Sequence, residues 1–538
     1  MPSRGPQAAA DRVGLTRAAH APRRDWTIQL TMQADTLILG AGSAGAVLAS
    51  RLSADPDHRV VLVDAGPDYA PEVLPSDLAN GRQNAMVSHD WGYQHRPCTG
   101  GLRFPLPRGR VVGGSSAINT CIAIRPLPRD LDEWADRGLS DWSWDRCLPA
   151  LKRLESDQDF DTPWHGRAGP LPLRRHPEDE WHPWQRALVD AALRLGHPAC
   201  ADTNDPNTPA GAGPHAMNKI DGRRISAAEA WLTPDVRARP NLQILSETTA
   251  HALLFSGTRV TGARLQTGKT DPVDHLAHRV LVACGAINTP RLLLASGLGP
   301  AAELERLGVP VRAALPGVGA RLLDHPGFAM FFRPRRPGVQ VAGGHLIQTV
   351  LRCSSGVGPW ADDLQLQVGT FVPLARMDLP LVSLMGTLGK LQGHGTLTWP
   401  SLKPGARPVV ENRFFDDPED HTRAAICMEI ARELAATPEM SELGAHLWPS
   451  RRRVSTRERI QGWVPRATNS GYHPCGTVPM GGDEDELAVC DGRGRVRGVE
   501  GLHVVDASLF PTIPTGNIHL TVLMVAEHLA ELLTGEGA

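Results

Sequence analysis

The clearest pattern of hydrophobic and glycine positions lies near the start of the chain. Short apolar runs at 36–39 and 60–63 have the length and composition of buried strands. Between them lies Gly40-Ala41-Gly42-Ser43-Ala44-Gly45, followed by apolar residues at helical spacing. Two buried strands separated by a glycine turn and a helix predict a β-α-β unit with parallel strands.

Each glycine of this turn has its own physical reason. Gly40 permits a sharp exit from the strand, Gly42 lets backbone approach a phosphate, and Gly45 lets the helix lie close to the sheet. Asp64 ends the second strand, where a carboxylate accepts hydrogen bonds from a ribose. The motif predicts a dinucleotide site and leaves NAD and FAD both open. Its expected contact residues are Gly40, Gly42, Ser43, Ala44, Gly45, Asp64 and Ala65.

Two later segments predict further elements. An apolar run at 280–283 reads as a buried strand, and the residues after it predict a helix with Thr289 as N-cap, Pro290 as first residue and Gly297 as stop. From about 326 to 471 the pattern changes to alternating strands, with a helix expected at 418–436. This change predicts an antiparallel sheet backed by helices.

Charge and cysteine usage narrow the class of protein. Lys and Arg number 56 against 58 Asp and Glu in 538 residues, so nothing indicates nucleic acid or an anionic membrane as partner. The most apolar segment, 518–533, is interrupted by histidine and glutamate, and no membrane span is predicted. Nine cysteines are scattered without a Cys-x-x-Cys pair, which favours reduced thiols and a soluble, cytoplasmic protein.

The first residues differ from the rest of the chain. Residues 1–33 are rich in Arg and Ala, and no apolar segment follows the pair Arg23-Arg24. We expect a disordered extension here, with Met32 as the natural start. The sequence gives no signal for an oligomeric state.

A second glycine cluster carries a family resemblance. Gly113-Gly114-Ser115-Ser116 again offers bare backbone and hydroxyls to a phosphate or a flat ring system. The stretch from Gly109 to Arg125 resembles the first signature of the glucose-methanol-choline (GMC) oxidoreductase family, and 285–299 is similar to the second. Three more segments resemble the family and extend the likeness over nearly the whole chain: 316–326, 471–481 and 502–533.

The resemblance implies an FAD enzyme that oxidises alcohols. Its fold would be α/β (α+β), with a Rossmann-like FAD-binding domain and a discontinuous antiparallel-sheet substrate domain. On this basis 34–322 would be FAD-binding with some substrate-side insertions, 323–470 substrate-binding, and 471–538 the return to the FAD domain. The FAD would be non-covalent, because Ile118 stands where some members carry a flavin-linked histidine. The further cofactor contacts implied are Arg110, Val112, Gly114, Ser115, Asn119, Thr120, Cys121, Ile122, Ala250, Asp506, Ala507, Asn517 and His519.

The same resemblance assigns the catalytic residues. His473 and His519 fall on the two catalytic positions of the family. A neutral imidazole is a suitable base for a hydroxyl proton at pH 7. We therefore expect His473 to take that proton and His519 to hydrogen-bond the developing alkoxide. A primary alcohol, aryl or furanic alcohols included, would become the aldehyde, with hydride passing to the flavin and electrons on to dioxygen or a quinone-type acceptor.

Other activities remain open on the same fold. A redox-silent FAD lyase, like the hydroxynitrile lyases, would use a histidine only as acid and base. The light-driven fatty-acid decarboxylases of this fold do not carry the catalytic histidine in this motif, so His473 counts against that alternative. We expect no metal, because the histidines lack an acidic or cysteine set with ligand spacing. Nor does the sequence reveal the carboxylate and aromatic cage that choline would require.

Overall fold

The structure is a computed structural model of the chain and describes residues 34–374, 377–403 and 405–535. The expected extension at 1–33 therefore lies outside the described residues. Two seven-stranded sheets dominate what is described. Their strands in chain order are β1 (Ala34–Leu39), β2 (Val60–Val63), β3 (Gly211–Pro214), β4 (Leu242–Leu245), β5 (Thr248–Ser256), β6 (Arg259–Thr267), β7 (Val273–Val282), β8 (Pro326–Pro334), β9 (Thr349–Cys353), β10 (Leu364–Gly369), β11 (Val382–Leu388), β12 (Gly444–Trp448), β13 (Asn469–Ser470) and β14 (Leu502–Val504).

The first sheet contains the nucleotide-binding unit that the sequence predicts. Its order is β4-β2-β1-β7-β6-β5, and β14 pairs with β7. Pairing is parallel along the series β4, β2, β1, β7 and β14. On its other part, β7 pairs with β6 and completes an antiparallel meander of β5, β6 and β7. β1, β2 and β14 are almost wholly buried because helices cover this part of the sheet. The predicted strands at 36–39 and 60–63 are confirmed.

The second sheet is antiparallel throughout. Its order is β12-β8-β11-β10-β9-β3, and β13 pairs with β8. β3 lies more than a hundred residues before β8 in the chain, so this sheet is built from discontinuous segments. Alternate residues of each strand point into a hydrophobic core on one face, while their neighbours point to the other face.

Eight helices of nine or more residues accompany the sheets in the described residues. The long α6 packs on β11 and covers the core face of the second sheet, and α8 packs against α1 beside the first sheet. The eight are α1 (Ser43–Leu52), α2 (Pro128–Asp136), α3 (Trp144–Leu154), α4 (Pro183–Arg194), α5 (Gly285–Ala295), α6 (Pro418–Ala436), α7 (Arg457–Ala467) and α8 (His519–Gly535). The predicted bounds of α6 are confirmed.

Shorter elements fill the connections. The short strands are Tyr93–His95, Phe104–Leu106, Glu155–Asp157, Leu171–Arg175, Ala216–Met217, Lys219–Ile220, Arg223–Arg224, Leu298–Gly299, Ala313–Ala314, Val372–Leu374, Met377–Leu379, Thr396–Thr398 and Val409–Glu411. The short α-helices are Ser76–Ala79, Ala227–Trp231, Pro234–Arg237, Ala301–Leu307 and Pro438–Ser441. Single 3₁₀ turns lie at Pro71–Val73, Gly114–Ala117, Ser140–Trp142, Glu178–Glu180, Arg451–Val454 and Ala507–Leu509.

The predicted start of α5 is wrong by about one turn. The helix begins at Gly285, so Thr289 and Pro290 lie inside it. A proline at this position leaves the Ala286 carbonyl without its helical donor, and the hydroxyl of Thr477 donates to that carbonyl at 2.6 Å. Thr289 is not the cap, because its hydroxyl donates to the Asp506 carboxylate instead. Gly297, at φ +81°, follows the helix as expected.

The structure also bears on the state of the cysteines and on membrane spans. All nine cysteines are free thiols, and eight of them are buried. Among the described helices, none combines the length and apolarity that crossing a bilayer requires.

Candidate active site

A single large cavity of about 1070 Å³ lies against both sheets. Its walls include the carboxyl ends of β1 and β2 and the glycine turn after β1. The face of the second sheet that points away from its hydrophobic core forms another wall. In open α/β sheets, ligands bind outside the carboxyl ends of the parallel strands, at the point where the strand order reverses. The cavity is large enough for a dinucleotide cofactor together with a small substrate.

Two glycine-rich segments meet at the floor of this cavity. Gly114 has φ +55°, and a Cβ placed on it would lie 2.8 Å from the Cα of Gly42. A Cβ on Gly45 would lie 1.8 Å from the carbonyl oxygen of Gly40, so α1 approaches the strand as closely as expected. Bare backbone from both segments therefore faces the same space, which suits an extended phosphate group.

Asp64 is fixed by backbone at the end of β2. One carboxylate oxygen accepts from the Ala41 N–H at 2.9 Å and the other from the Gly66 N–H at 2.7 Å. Burial raises the pKa of this carboxyl to about 6, against the lowering by these two hydrogen bonds. Each oxygen keeps a second lone pair for a hydroxyl group.

Most residues expected from the sequence to bind cofactor line this cavity. Those on its wall are Gly40, Gly42, Ser43, Ala44, Asp64, Ala65, Arg110, Gly114, Ser115, Asn119, Thr120, Ile122, Ala250, Asp506, Ala507, Asn517 and His519. Three others, Gly45, Val112 and Cys121, do not line it. Val112 and Cys121 are buried behind the wall, and Cys121 holds a left-handed φ of +63°. Their place in the motifs reflects the packing of the turn rather than contact with the cavity.

The second sheet forms the opposite wall by simple alternation. On β10, Leu364, Leu366 and Val368 enter the core while Gln365 and Gln367 face the cavity. The same alternation on β11, which pairs with β10, and on β8, the strand beyond it, adds the cavity residues Gly327, Ala329, Phe331, Ser383, Met385 and Thr387. This wall is therefore made of small, aromatic and neutral polar side chains.

His473 lies in this cavity with both ring nitrogens engaged. Its Nε2 is 3.1 Å from the side-chain nitrogen of Asn517, and its Nδ1 is 2.9 Å from Nδ1 of His325. The pKa of His473 lies well below its usual value, first because the ring is removed from water and then because His325 and Arg108 are close. The imidazole is therefore neutral at pH 7.

His519 differs from His473 in its surroundings. Its Nε2 is buried and has no hydrogen-bond partner among the described residues, and burial lowers its pKa to about 4. The side chain that meets His473 is Asn517, two residues earlier. The sequence motif brought both residues to the cavity but could not decide which of them faces His473.

Asp324 holds the backbone around the two histidines. Its Oδ1 accepts from the N–H groups of His325 and His473, at 2.8 and 2.9 Å. Its Oδ2 accepts from Ser470 and Asn412. The sequence analysis gave Asp324 and His325 no role in the site, although an acid beside a histidine in a segment that resembles the family was a signal for one.

Negative charge on the cavity wall is confined to one side. Among the described residues that line it, the carboxylates are Asp64 and Asp506, both at the ends of strands of the first sheet. Asp506 already accepts from Gly285, Thr289 and Ser508. The lining residues that the structure describes on the second sheet include no carboxylate.

A separate charged cluster lies away from the cavity. Glu155, Asp157 and His165 are buried and close enough together to surround a cation. However, Arg125 pairs with Glu155 at 2.7 Å and Arg175 with Asp157 at 2.8 Å. The cluster therefore carries its own positive charges and forms an ion-pair network.

The cavity residues fit FAD. The two bare glycine segments leave room for a pyrophosphate, Asp64 has lone pairs for a ribose, and the volume matches a long cofactor. Ile118 lines the cavity with an aliphatic side chain that has no atom able to form a bond to a flavin. These observations agree with non-covalent binding.

Comparisons with known proteins give the same result. Two family models described as GMC oxidoreductase match residues 34–327 and 392–526. The 5-(hydroxymethyl)furfural oxidase of Methylovorus sp. is 33% identical over 529 residues, covering 93% of this chain and 98% of that protein. The choline oxidase of Arthrobacter globiformis is 35% identical over 520 residues, covering 93% and 94%.

A solved structure agrees over the same length. The crystal structure of pyridoxine 4-oxidase from "Mesorbium loti" superimposes with a TM-score of 0.86 at 30% identity, covering 94% of this chain and 99% of that one. Both halves of the fold are therefore shared. The chain belongs to the GMC oxidoreductase family and is an FAD-dependent alcohol oxidoreductase.

Proposed function

We propose that the protein oxidises an uncharged primary alcohol, with aryl and furanic alcohols as candidates, to the aldehyde. This proposal is carried by the imidazole of His473, which burial keeps neutral and which faces a cavity where the described lining residues of the second sheet include no carboxylate. The similarity to a furfural oxidase is consistent with it.

His473 would act as the general base. An alcohol becomes a good hydride donor only as its hydroxyl proton leaves, and Nε2 of His473 is the ring nitrogen beside the Asn517 amide in the cavity. FAD, when bound, would supply the acceptor for the hydride of the carbinol carbon, with dioxygen or a quinone-type compound as the final electron acceptor. His473 keeps the hydroxyl proton, so the alcohol loses one proton and one hydride in total.

Asn517 is the better candidate for the second polar group. Its amide lies beside the same nitrogen of His473, so it can donate to the oxygen from which the proton leaves. The expectation that His519 does this has less support, since no hydrogen bond of its Nε2 points it toward His473.

The charge of the substrate follows from the wall of the second sheet. Gln365, Gln367, Ser383 and Thr387 offer neutral hydrogen-bonding groups, and Phe331 offers an aromatic face. A quaternary ammonium would lose its water here without a counter-charge, which costs several kcal/mol in an apolar site. A neutral alcohol has no such cost.

The variant His473→Ala tests the proposed base. We expect it to retain FAD and to slow anaerobic flavin reduction by alcohol at least about a hundredfold, the scale of a lost general base. The exposed His278→Ala is the matched control and should reduce at the wild-type rate. If His473→Ala also reduces at the wild-type rate, His473 is not the base.

The variants Asn517→Ala and His519→Asn test the second position. Asn517→Ala should slow flavin reduction by about tenfold to a hundredfold, because a donor to the developing charge is removed. His519→Asn should change this rate little. The reverse order of effects would return the role to His519.

A further inference from the structure

We propose that His325 is a positioning residue that sets the tautomer of His473. It would keep the proton of His473 on Nδ1, so that the lone pair of Nε2, which here accepts from Asn517, can take a proton from substrate. This inference deepens the proposed function, in which His473 is the base. His325 itself would not touch the alcohol.

The proton of His325 is located by two carbonyl groups. Nε2 of His325 lies 3.0 Å from the carbonyl oxygen of Gly389 and 3.0 Å from that of Pro514. Carbonyl oxygens only accept hydrogen bonds, so Nε2 must carry a proton. The ring is 2% exposed, and burial lowers its pKa, so the imidazole is neutral and its Nδ1 has a lone pair.

That lone pair determines the state of His473. The two Nδ1 atoms are 2.9 Å apart, a distance at which one must donate to the other. Because Nδ1 of His325 has no proton to give, Nδ1 of His473 is the donor. A neutral imidazole has one N–H, so Nε2 of His473 has a lone pair directed to the cavity.

Asn517 agrees with this assignment from the other side of the ring. Its side-chain nitrogen lies 3.1 Å from Nε2 of His473, and an amide nitrogen only donates. The other charged groups around the pair are the guanidinium of Arg108, the ammonium of Lys390 near His325, and Asp324. Asp324 accepts from backbone N–H groups of both histidines, so it does not compete for a ring proton.

The anchor of His325 comes from both halves of the fold. Gly389 follows β11 of the second sheet, and Pro514 lies in the loop before α8, which packs beside the first sheet. Asp324 holds the backbone of His473 separately. Removal of the His325 ring would therefore leave the backbone of His473 held and alter chiefly the partner of its Nδ1.

Two substitutions of similar size separate the tautomer from packing. In His325→Gln the amide nitrogen can donate to the two carbonyls and the amide oxygen can accept from Nδ1 of His473. In His325→Leu the volume is retained without an acceptor. We expect flavin reduction close to the wild-type rate in His325→Gln and a loss of about tenfold or more in His325→Leu, with the larger change in kcat rather than KM.

The tautomer is measured directly by nitrogen NMR of the holoenzyme. With ¹⁵N-labelled histidine, protonated and unprotonated ring nitrogens give separate signals, and His473→Gln identifies those of residue 473. We expect the proton on Nδ1 in wild type and in His325→Gln, and on Nε2 in His325→Leu, where the Asn517 amide turns so that its oxygen accepts from Nε2. If His325→Leu does not fold, the wild-type spectrum still tests the inference, because a proton on Nε2 would overturn it.

The outcomes separate this inference from the proposed function. A proton on Nε2 of His473 in the wild-type protein would overturn the inference, as would full activity and an unchanged tautomer in His325→Leu. If the tautomer is as expected but His473→Ala reduces at the wild-type rate, the proposed base fails while the assignment of the proton holds.

Discussion

At the scale of single residues, the two nitrogens of His473 meet different partners. Nδ1 faces another imidazole and Nε2 faces an amide nitrogen, so the two ends of one ring are chemically distinct. Desolvation and the nearby Arg108 keep the ring uncharged. A base of this kind is ready to accept a proton without first losing one to water.

The lowered pKa of His473 predicts how the reaction depends on pH. A base acts when it is unprotonated, so its activity is present above its pKa and is lost as the pH falls through it. Because the pKa of His473 lies well below 6.5, we expect the rate of flavin reduction to be flat from pH 6.5 upward. Anaerobic stopped-flow measurements across this range check the prediction. A rate that rises steadily between pH 7 and 8 would contradict it.

Some residue roles were predictable from the sequence and others were not. Gly40, Gly45 and Asp64 have local reasons for their identity, and the structure shows the corresponding close contacts and hydrogen bonds. Asn517 and His519 lie at the end of an irregular loop, where no period tells which side chain faces a given neighbour. The partnership of His325 with His473 joins residues 148 positions apart, and no local pattern reveals it.

At the scale of elements, the cofactor side of the cavity depends on two turns that touch. The turn after β1 and the 3₁₀ turn at Gly114–Ala117 approach so closely that there is no room between them for a Cβ on Gly114. Their individual glycine content was predictable. Their mutual contact was not, since it depends on how β1 and a distant loop are placed by the whole sheet.

The variant Gly114→Ala tests this contact. Its Cβ would lie 2.8 Å from Gly42, so the two turns must separate, and about 1.4 kcal/mol of strain would weaken FAD binding about tenfold. Gly257→Ala is a matched control, because its φ of +61° is close to the +55° of Gly114 but its Cβ would meet nothing within 4 Å. The ratio of flavin to protein absorbance after dialysis measures the loss. Equal retention of FAD in both variants would contradict the prediction.

Local sequence patterns also fail to locate a helix start when distant residues determine it. Thr289-Pro290 has the composition of a helix start, yet α5 begins at Gly285 because Asp506 accepts from the Gly285 N–H and the Thr289 hydroxyl. Thr477 then satisfies the carbonyl that the proline leaves without a donor. Helix α6 was predictable throughout, since Asp417 caps it and Pro418 opens it within the same local sequence.

At the scale of the whole molecule, the two sheets give the cavity two unlike walls. The first sheet contributes the glycine turn after β1 and the two carboxylates found among the described lining residues, whereas the second contributes neutral side chains by alternation along its strands. The class of this second wall, an antiparallel sheet, was predictable from the sequence. Which residues face the cavity was not, because the facing set depends on the register of pairing with strands that include the distant β3.

The most direct measurement compares two alcohols of the same shape that differ in charge. The holoenzyme is mixed anaerobically with choline or with 3,3-dimethylbutan-1-ol, its uncharged isostere, beside benzyl and furanic alcohols, and the flavin absorbance is followed. We expect the neutral isostere to reduce the flavin at least about tenfold faster than choline, the effect of ~1.4 kcal/mol of unpaired charge. Faster reduction by choline, or no reduction by any of these alcohols, would contradict the proposal that the protein oxidises uncharged primary alcohols.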